Sequence, residues 1–213
     1  MDELELGWQP GDALAPRPDP ELVDIFGRLV GWLKSHGCVR PDDENVVGTE
    51  RRAAKGFLEL VFPAEQIERE KARLLAATFP SKYDGMILSK HNLTFGMCPH
   101  HLLPVIYKIS LAYIPNVRVL GLSKLSRLAK LLSRSPILQE DLTARLADAL
   151  YLDLESRGSA VFVEGLHMCM AARGVEVHEA RAVTSEVRGV FREQQATRME
   201  FLDLVRSEGT SLV

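Results

Sequence analysis

Apolar residues recur at helical spacing between residues 20 and 36, where Leu22, Val23, Phe26, Leu29, Val30 and Leu33 fall on one face. This predicts a first helix, with Gly37 as its C-cap. A second helix is expected over residues 49–60, capped by Thr49, and a charged, alanine-containing third over 64–77. The pattern then changes. Residues 86–97 and 102–114 carry β-branched and aromatic side chains and read as strands, and Pro115-Asn116 turns the chain after the second. Leu122, Leu125, Leu128 and Leu132 make an apolar helical stripe over residues 122–133, broken by Ser135-Pro136. Leu138, Leu142, Leu146 and Leu150 do the same over 138–155, and Gly158 ends that helix. Residues 159–172 and 183–191 are again strand-like, and a last helix is expected over 195–206.

The order is helices, two strands, two helices, two strands, one helix. Strands that follow one another as hairpins, and do not alternate with helices, point to an α+β fold over a doubly wound sheet. No repeat of solenoid period interrupts this order. Prolines 10, 16, 18 and 20 among acidic residues mark residues 1–18 as a flexible arm. A helical N-terminal region over 19–80 and a main domain over 81–213 complete the expected organisation.

Composition narrows the chemistry. The 213 residues are 46% hydrophobic and 26% charged, with a formal net charge of -3, so no global charge calls for nucleic acid or an anionic membrane. No apolar run approaches the ~20 residues that span a bilayer, and the acidic N-terminus is unlike a signal peptide. A cytosolic protein is expected. Three cysteines, Cys38, Cys98 and Cys169, are an odd number and do not read as a disulfide framework. Cys38 has no assigned role.

Two of these cysteines sit beside histidines. Cys98-Pro99-His100-His101 lies where the first strand ends and the second begins, and its C-x-x-H spacing lets Cys98 and His101 reach one metal ion. In His167-Met168-Cys169, alternation along a strand turns His167 and Cys169 to one face, and Met168 and Met170 to the other. Arg173 shares the parity of His167 and Cys169 if the strand stays regular. Cys98, His101 and Cys169 together would give zinc three protein ligands and leave a fourth position for water. Zinc lowers the pKa of such a water to roughly 7. His100 and His167 would flank it as proton carriers. The spacings alone do not separate a hydrolytic zinc from a structural one that keeps a water.

The stretch from Met97 to Phe201 resembles the GTP cyclohydrolase I family. The resemblance is carried, in the family's order, by Met97-Cys98-Pro99-His100-His101-Leu102-Leu103-Pro104, Ala112-Tyr113-Ile114-Pro115-Asn116, Leu120-Gly121-Leu122-Ser123-Lys124-Leu125, Leu138-Gln139-Glu140 and His167-Met168-Cys169-Met170. Arg173-Gly174-Val175, Val183-Thr184-Ser185 and Thr197-Arg198 continue it, and Thr49 to Lys55 extends it weakly upstream. It implies a tunnelling fold, with a four-stranded antiparallel sheet, two inserted helices and an N-terminal helical extension. It also implies a homo-oligomer, a decamer of two stacked pentameric rings with active sites between subunits. The implied reaction hydrolyses guanine C8 of GTP, releases formate and rearranges the ribose to give 7,8-dihydroneopterin triphosphate.

Carried over residue by residue, the resemblance places Cys98, His101 and Cys169 on the zinc ligands and His100 and His167 on the catalytic histidines. Ser123, at a helix entry where backbone N–H groups favour anions, serves the ribose and phosphate region. Glu140, with Gln139 beside it, falls on guanine recognition, since a carboxylate can accept from both N1–H and the N2 amine. Lys124, Arg127, Arg173, Arg52 and Lys55 together would clamp a triphosphate. The implied mechanism has water, deprotonated towards His100 or a phosphate, attack C8 after His167 protonates N7. The family usually carries Cys-Glu-His-His; here Pro99 replaces the glutamate and removes a carboxylate and a backbone donor. Residues 133–137 and 62–89 also depart from the family pattern. Two rival readings follow from these departures: a relative that stops at an opened formylaminopyrimidine, and a non-catalytic ring protein that binds a purine or pterin.

Overall fold

The computed structural model describes residues 19–207, so the arm expected over residues 1–18 lies outside them. The chain forms two compact units, which divide between Val61 and Phe62. In the first unit, helices α1 (Pro20–Ser35) and α2 (Thr49–Leu60) pack together, with the Phe26 and Phe57 rings meeting edge to face at 6.1 Å. Gly37, at a φ of +73°, turns the chain after α1. At α2 the cap is Gly48 and not Thr49: Gly48 takes the left-handed conformation, and the Thr49 hydroxyl instead accepts from Arg52 Nη2 at 2.9 Å.

The second unit begins with α3 (Ala64–Ala76) and holds a four-stranded antiparallel sheet of order β2-β3-β5-β6. Its strands are β2 (Ile87–Met97), β3 (Pro104–Ile114), β5 (Gly158–His167) and β6 (Ala182–Gly189). A separate two-stranded ribbon pairs β1 (Thr78–Pro80) with β4 (Arg118–Leu120). Three-residue strands carry too little periodicity to be read from sequence, and both went unexpected. The ribbon fixes the entry to α4 (Leu122–Leu132): Gly121, its N-cap, donates its N–H to Ala77 O at 3.3 Å and accepts from Lys124 N–H at 2.8 Å. After it comes α5 (Gln139–Asp148), which runs on into a wider turn over Ala149–Asp153.

Helices α4 and α5 cover one face of the sheet, with α3 packed on α4, and bury Val105, Tyr107, Ile109, Leu111, Leu125, Leu128, Leu142 and Leu146 with it. Leu122 and Leu138 do not join their stripes. Leu122 opens α4 and Leu138 is the N-cap of the next helix, 71% and 41% exposed, and α4 buries Ala129 and Leu131 instead. The other face is covered at one end only, by α7 (Val190–Glu193) and α8 (Gln195–Arg206), which pack Phe191, Phe201 and Val205 against Ala112 and Ala160. The consequence is written along the strands. The first half of β3 alternates buried and exposed, while Ile109 to Tyr113 are buried on both faces. Antiparallel β5 runs the other way, doubly buried at its start and half-buried at its end.

Gly158 opens β5 and does not close the preceding helix. It lies opposite Gly189, where a Cβ on Gly189 would stand 2.3 Å from Arg157 O, so the two strands approach as only glycines allow. The strand expected over 159–172 stops at His167. From there Met168–Ala171 form a helical turn, α6, closed by Ala172 N–H to Met168 O at 2.9 Å. Likewise β6 ends at Gly189, whose φ of +53° turns the chain into α7. Among the described residues no helix is long and apolar enough to cross a membrane.

Candidate active site

The site lies at the end of the sheet that α8 leaves open. The β2–β3 connection is a tight loop in which Cys98 N–H donates to Leu103 O and Leu102 N–H to Cys98 O, both at 2.9 Å. The second bond closes one helical turn, which Leu102 leaves in the left-handed conformation at a φ of +51°. Pro99 fits the start of such a turn, where its φ is already suited and its missing N–H costs nothing. One turn brings residues three apart to the same side, so His101 Nδ1 stands 3.7 Å from Cys98 Sγ.

Cys169 completes the trio by a different route. It does not share a strand face with His167; the turn of α6 swings it back until its Sγ lies 3.7 Å from Cys98 Sγ. The three ligand atoms all fall within 4.8 Å of one another. Bonds of about 2.3 Å to sulfur and 2.0 Å to nitrogen, at tetrahedral angles, set donors about 3.5–3.8 Å apart. The two 3.7 Å separations match that spacing, so two thiols and an imidazole suit a tetrahedral metal with an open fourth position. Burial, together with the neighbouring Cys98 sulfur, holds the Cys169 thiol above its ordinary pKa, so a bound cation must displace a proton there.

His167 borders the trio at the end of β5, opposite Val105. Its pKa lies below the ordinary histidine value because burial disfavours the charged ring, and the nearby Glu140 carboxylate only partly offsets this. Its Nε2 lies 2.9 Å from Gln139 Oε1. Gln139 is buried in the first turn of α5, whereas Glu140, the next residue, is exposed. His100 is exposed, with its ring 6.2 Å from that of His101. Arg173 is exposed beyond α6, close enough to Cys169 to favour its thiolate.

Ser123 and Lys124 occupy the first turn of α4, with Arg127 one turn on. Burial, then the charges of Arg127 and Arg73, lower the Lys124 pKa. Arg73, on α3, is thus a third cation of this group. Only the packing of α3 on α4 reveals it, since no motif surrounds it in sequence. Arg52 and Lys55 belong to the first unit. There the Arg52 guanidinium donates to Val47 O, Asn45 O and Thr49 Oγ1, and Lys55 is exposed.

Sequence reasoning also passed over Tyr107. Its ring meets that of His167 edge to face at 6.2 Å, and its hydroxyl is buried without a hydrogen-bond partner. Burial first, then the charges of Cys98, Glu140 and Cys169, push its pKa far up, so it stays a donor at any working pH. An apolar-looking position in the middle of a strand gave no signal for it.

The GTP cyclohydrolase I family model matches residues 32–206, most of the chain. The chain belongs to the GTP cyclohydrolase I family. Among relatives bearing the name GTP cyclohydrolase 1, the Homo sapiens protein is 46% identical over 188 residues, covering 88% of this chain and 73% of that one. The Gloeobacter violaceus protein is 39% identical over 210 residues, covering 98% and 97%. The Drosophila melanogaster protein is 38% identical over 206 residues, and the chain spans 61% of its length.

Proposed function

We propose that this chain is a zinc-dependent GTP cyclohydrolase I that converts GTP to formate and 7,8-dihydroneopterin triphosphate. The observation that carries the reading is the Cys98–His101–Cys169 trio, at tetrahedral spacing and with His167 held beside it, in a member of this family. Zinc, when bound there, supplies a Lewis acid of the open three-ligand kind that activates water near neutral pH. Glu140 accepts from N1–H and the N2 amine of guanine and so orients the base. Lys124, Arg127 and Arg173 bind the triphosphate, joined by Arg73. His167 delivers a proton to N7, and His100 takes one from the attacking water. Two hydrolyses release C8 as formate, Ser123 and its neighbours hold the ribose through its rearrangement, and closure of the new ring returns one water.

The α+β unit supports a tunnelling fold; the family resemblance is what supports a cytosolic decamer of two stacked pentameric rings. Pro99 is compatible with the full reaction, since it suits the turn that presents Cys98 and His101. The test is to incubate zinc-loaded protein with GTP, follow pterin absorbance and quantify formate separately. Both products together are expected. Formate or an opened ring without pterin would support the truncated reaction. Neither product, with zinc confirmed in the sample, would favour another purine substrate or the binding protein. His167→Ala should abolish ring opening and leave zinc bound; unchanged formate release would remove His167 from the mechanism.

A further inference from the structure

Gln139 is 3% exposed, and every hydrogen-bonding group of its side chain has a partner. The two hydrogens on its Nε2 are shared among three acceptors, Ala182 O at 3.0 Å, Thr184 Oγ1 at 3.1 Å and Val163 O at 3.2 Å. Two of these are carbonyl oxygens, which only accept. A flipped amide would set its own oxygen against both, so the orientation is fixed. The hydroxyls close the circuit. Thr143 Oγ1 donates to Gln139 O at 2.7 Å, which uses its one proton, so in its 2.6 Å contact with Thr184 the Thr184 hydroxyl is the donor. Thr184 is therefore left to accept from Gln139, whose two Nε2 hydrogens are shared among the three acceptors.

Gln139 Oε1 is left facing His167 Nε2 at 2.9 Å. An amide oxygen only accepts, so Nε2 must carry the hydrogen. We infer that Gln139 is a positioning residue that locks His167 as the Nε2–H tautomer. Nδ1 is then the nitrogen that must take up a proton before it can pass one to the substrate, and the Gln139 side chain does not contact guanine. Gly165 belongs to the same device: a Cβ there would stand 2.1 Å from Gln139 Oε1 and 3.1 Å from His167 Nε2. The inference rests on the proposed function only for what His167 does with its free nitrogen.

The test is tautomer-sensitive NMR on metal-loaded protein carrying 15N-labelled histidine, with His167 assigned by the signal lost in His167→Asn. A pyrrole-type Nε2 and a pyridine-type Nδ1 are expected; the reverse would overturn the lock. Gln139→Met keeps length and removes the acceptor. In that variant a mixture of tautomers should appear, kcat for formate release should fall about 10- to 100-fold, as for other orienting partners, and KM for GTP should hardly move. A raised KM at unchanged kcat would return Gln139 to guanine binding. If Gln139→Met does not fold, the wild-type spectrum decides alone. The expected spectrum in a protein that does not turn over GTP would sink the function and leave the lock standing.

Discussion

Strands β3 and β5 each have two ends, and the ends differ in kind. At one end α8 closes the second face, and Phe191 and Phe201 meet edge to face at 6.1 Å over Ala112 and Ala160. There, the side chains that α7 and α8 pack against the sheet are apolar. At the other end the second face is open, Lys108 and Glu164 pair across it at 3.8 Å, and the covered face holds Cys98, His167, Gln139 and Tyr107. Buried polar groups must find partners or bear a cost of about 1–3 kcal/mol each. The closed end thus maintains the sheet, and the open end uses its rigidity to aim chemistry.

The sharpest way to separate the ends is to break each once. Cys98→Ser removes a ligand at the open end. Metal content should fall to background on dialysis and formate release with it, and the gain from added metal, about 2.7 kcal/mol at a hundredfold excess over Kd, should vanish from the melting curve. Retained metal after dialysis would show that the trio is not the site. Phe201→Ala strikes the closed end, where deletion of a buried ring costs about 3–5 kcal/mol of stability. Metal content per folded chain should not change, and a loss of metal in the folded variant would show that the ends are coupled.

How far each end is legible in sequence follows the same division. The apolar periodicities set the long helices and strands, because a period of 3.6 or 2 is enough to choose a buried face. The Cys98–His101 pair was legible too, since three residues and one turn fix it locally. Cys169 was assigned to the trio on an alternation that the chain does not follow, because β5 stops at His167 and a turn of α6 does the aiming. The placement of Gln139, Arg73 and Tyr107 depends on which helix lies over which strand, and no local pattern encodes that.

Gly165→Ala probes the open end without touching a metal ligand. The added methyl must push the Gln139 amide away from His167. Formate-release kcat should drop about 10-fold or more and the melting temperature should fall, overpacking a buried site costing about 1–3 kcal/mol, while metal content stays close to wild type. An unchanged kcat would mean that the amide has room to shift and still accept from Nε2.

Tyr107→Phe carries the smallest expected effect and a sign opposite to the usual one. Most substitutions of a wholly buried residue destabilise. Here the ring, packed against Gly96 and His167, keeps its place, and only an unpartnered hydroxyl is lost. Releasing that group from an apolar burial should stabilise the substrate-free protein by about 1 kcal/mol, seen as a raised melting temperature. At the closed end no equivalent gain is available, because Phe191 and Phe201 already carry no polar atom on their rings. If the melting temperature rises while KM for GTP also rises, the hydroxyl is a donor held in reserve for the substrate. A fall in melting temperature would show that the hydroxyl is already partnered in the free protein, and the open end would then be as fully satisfied as the closed one.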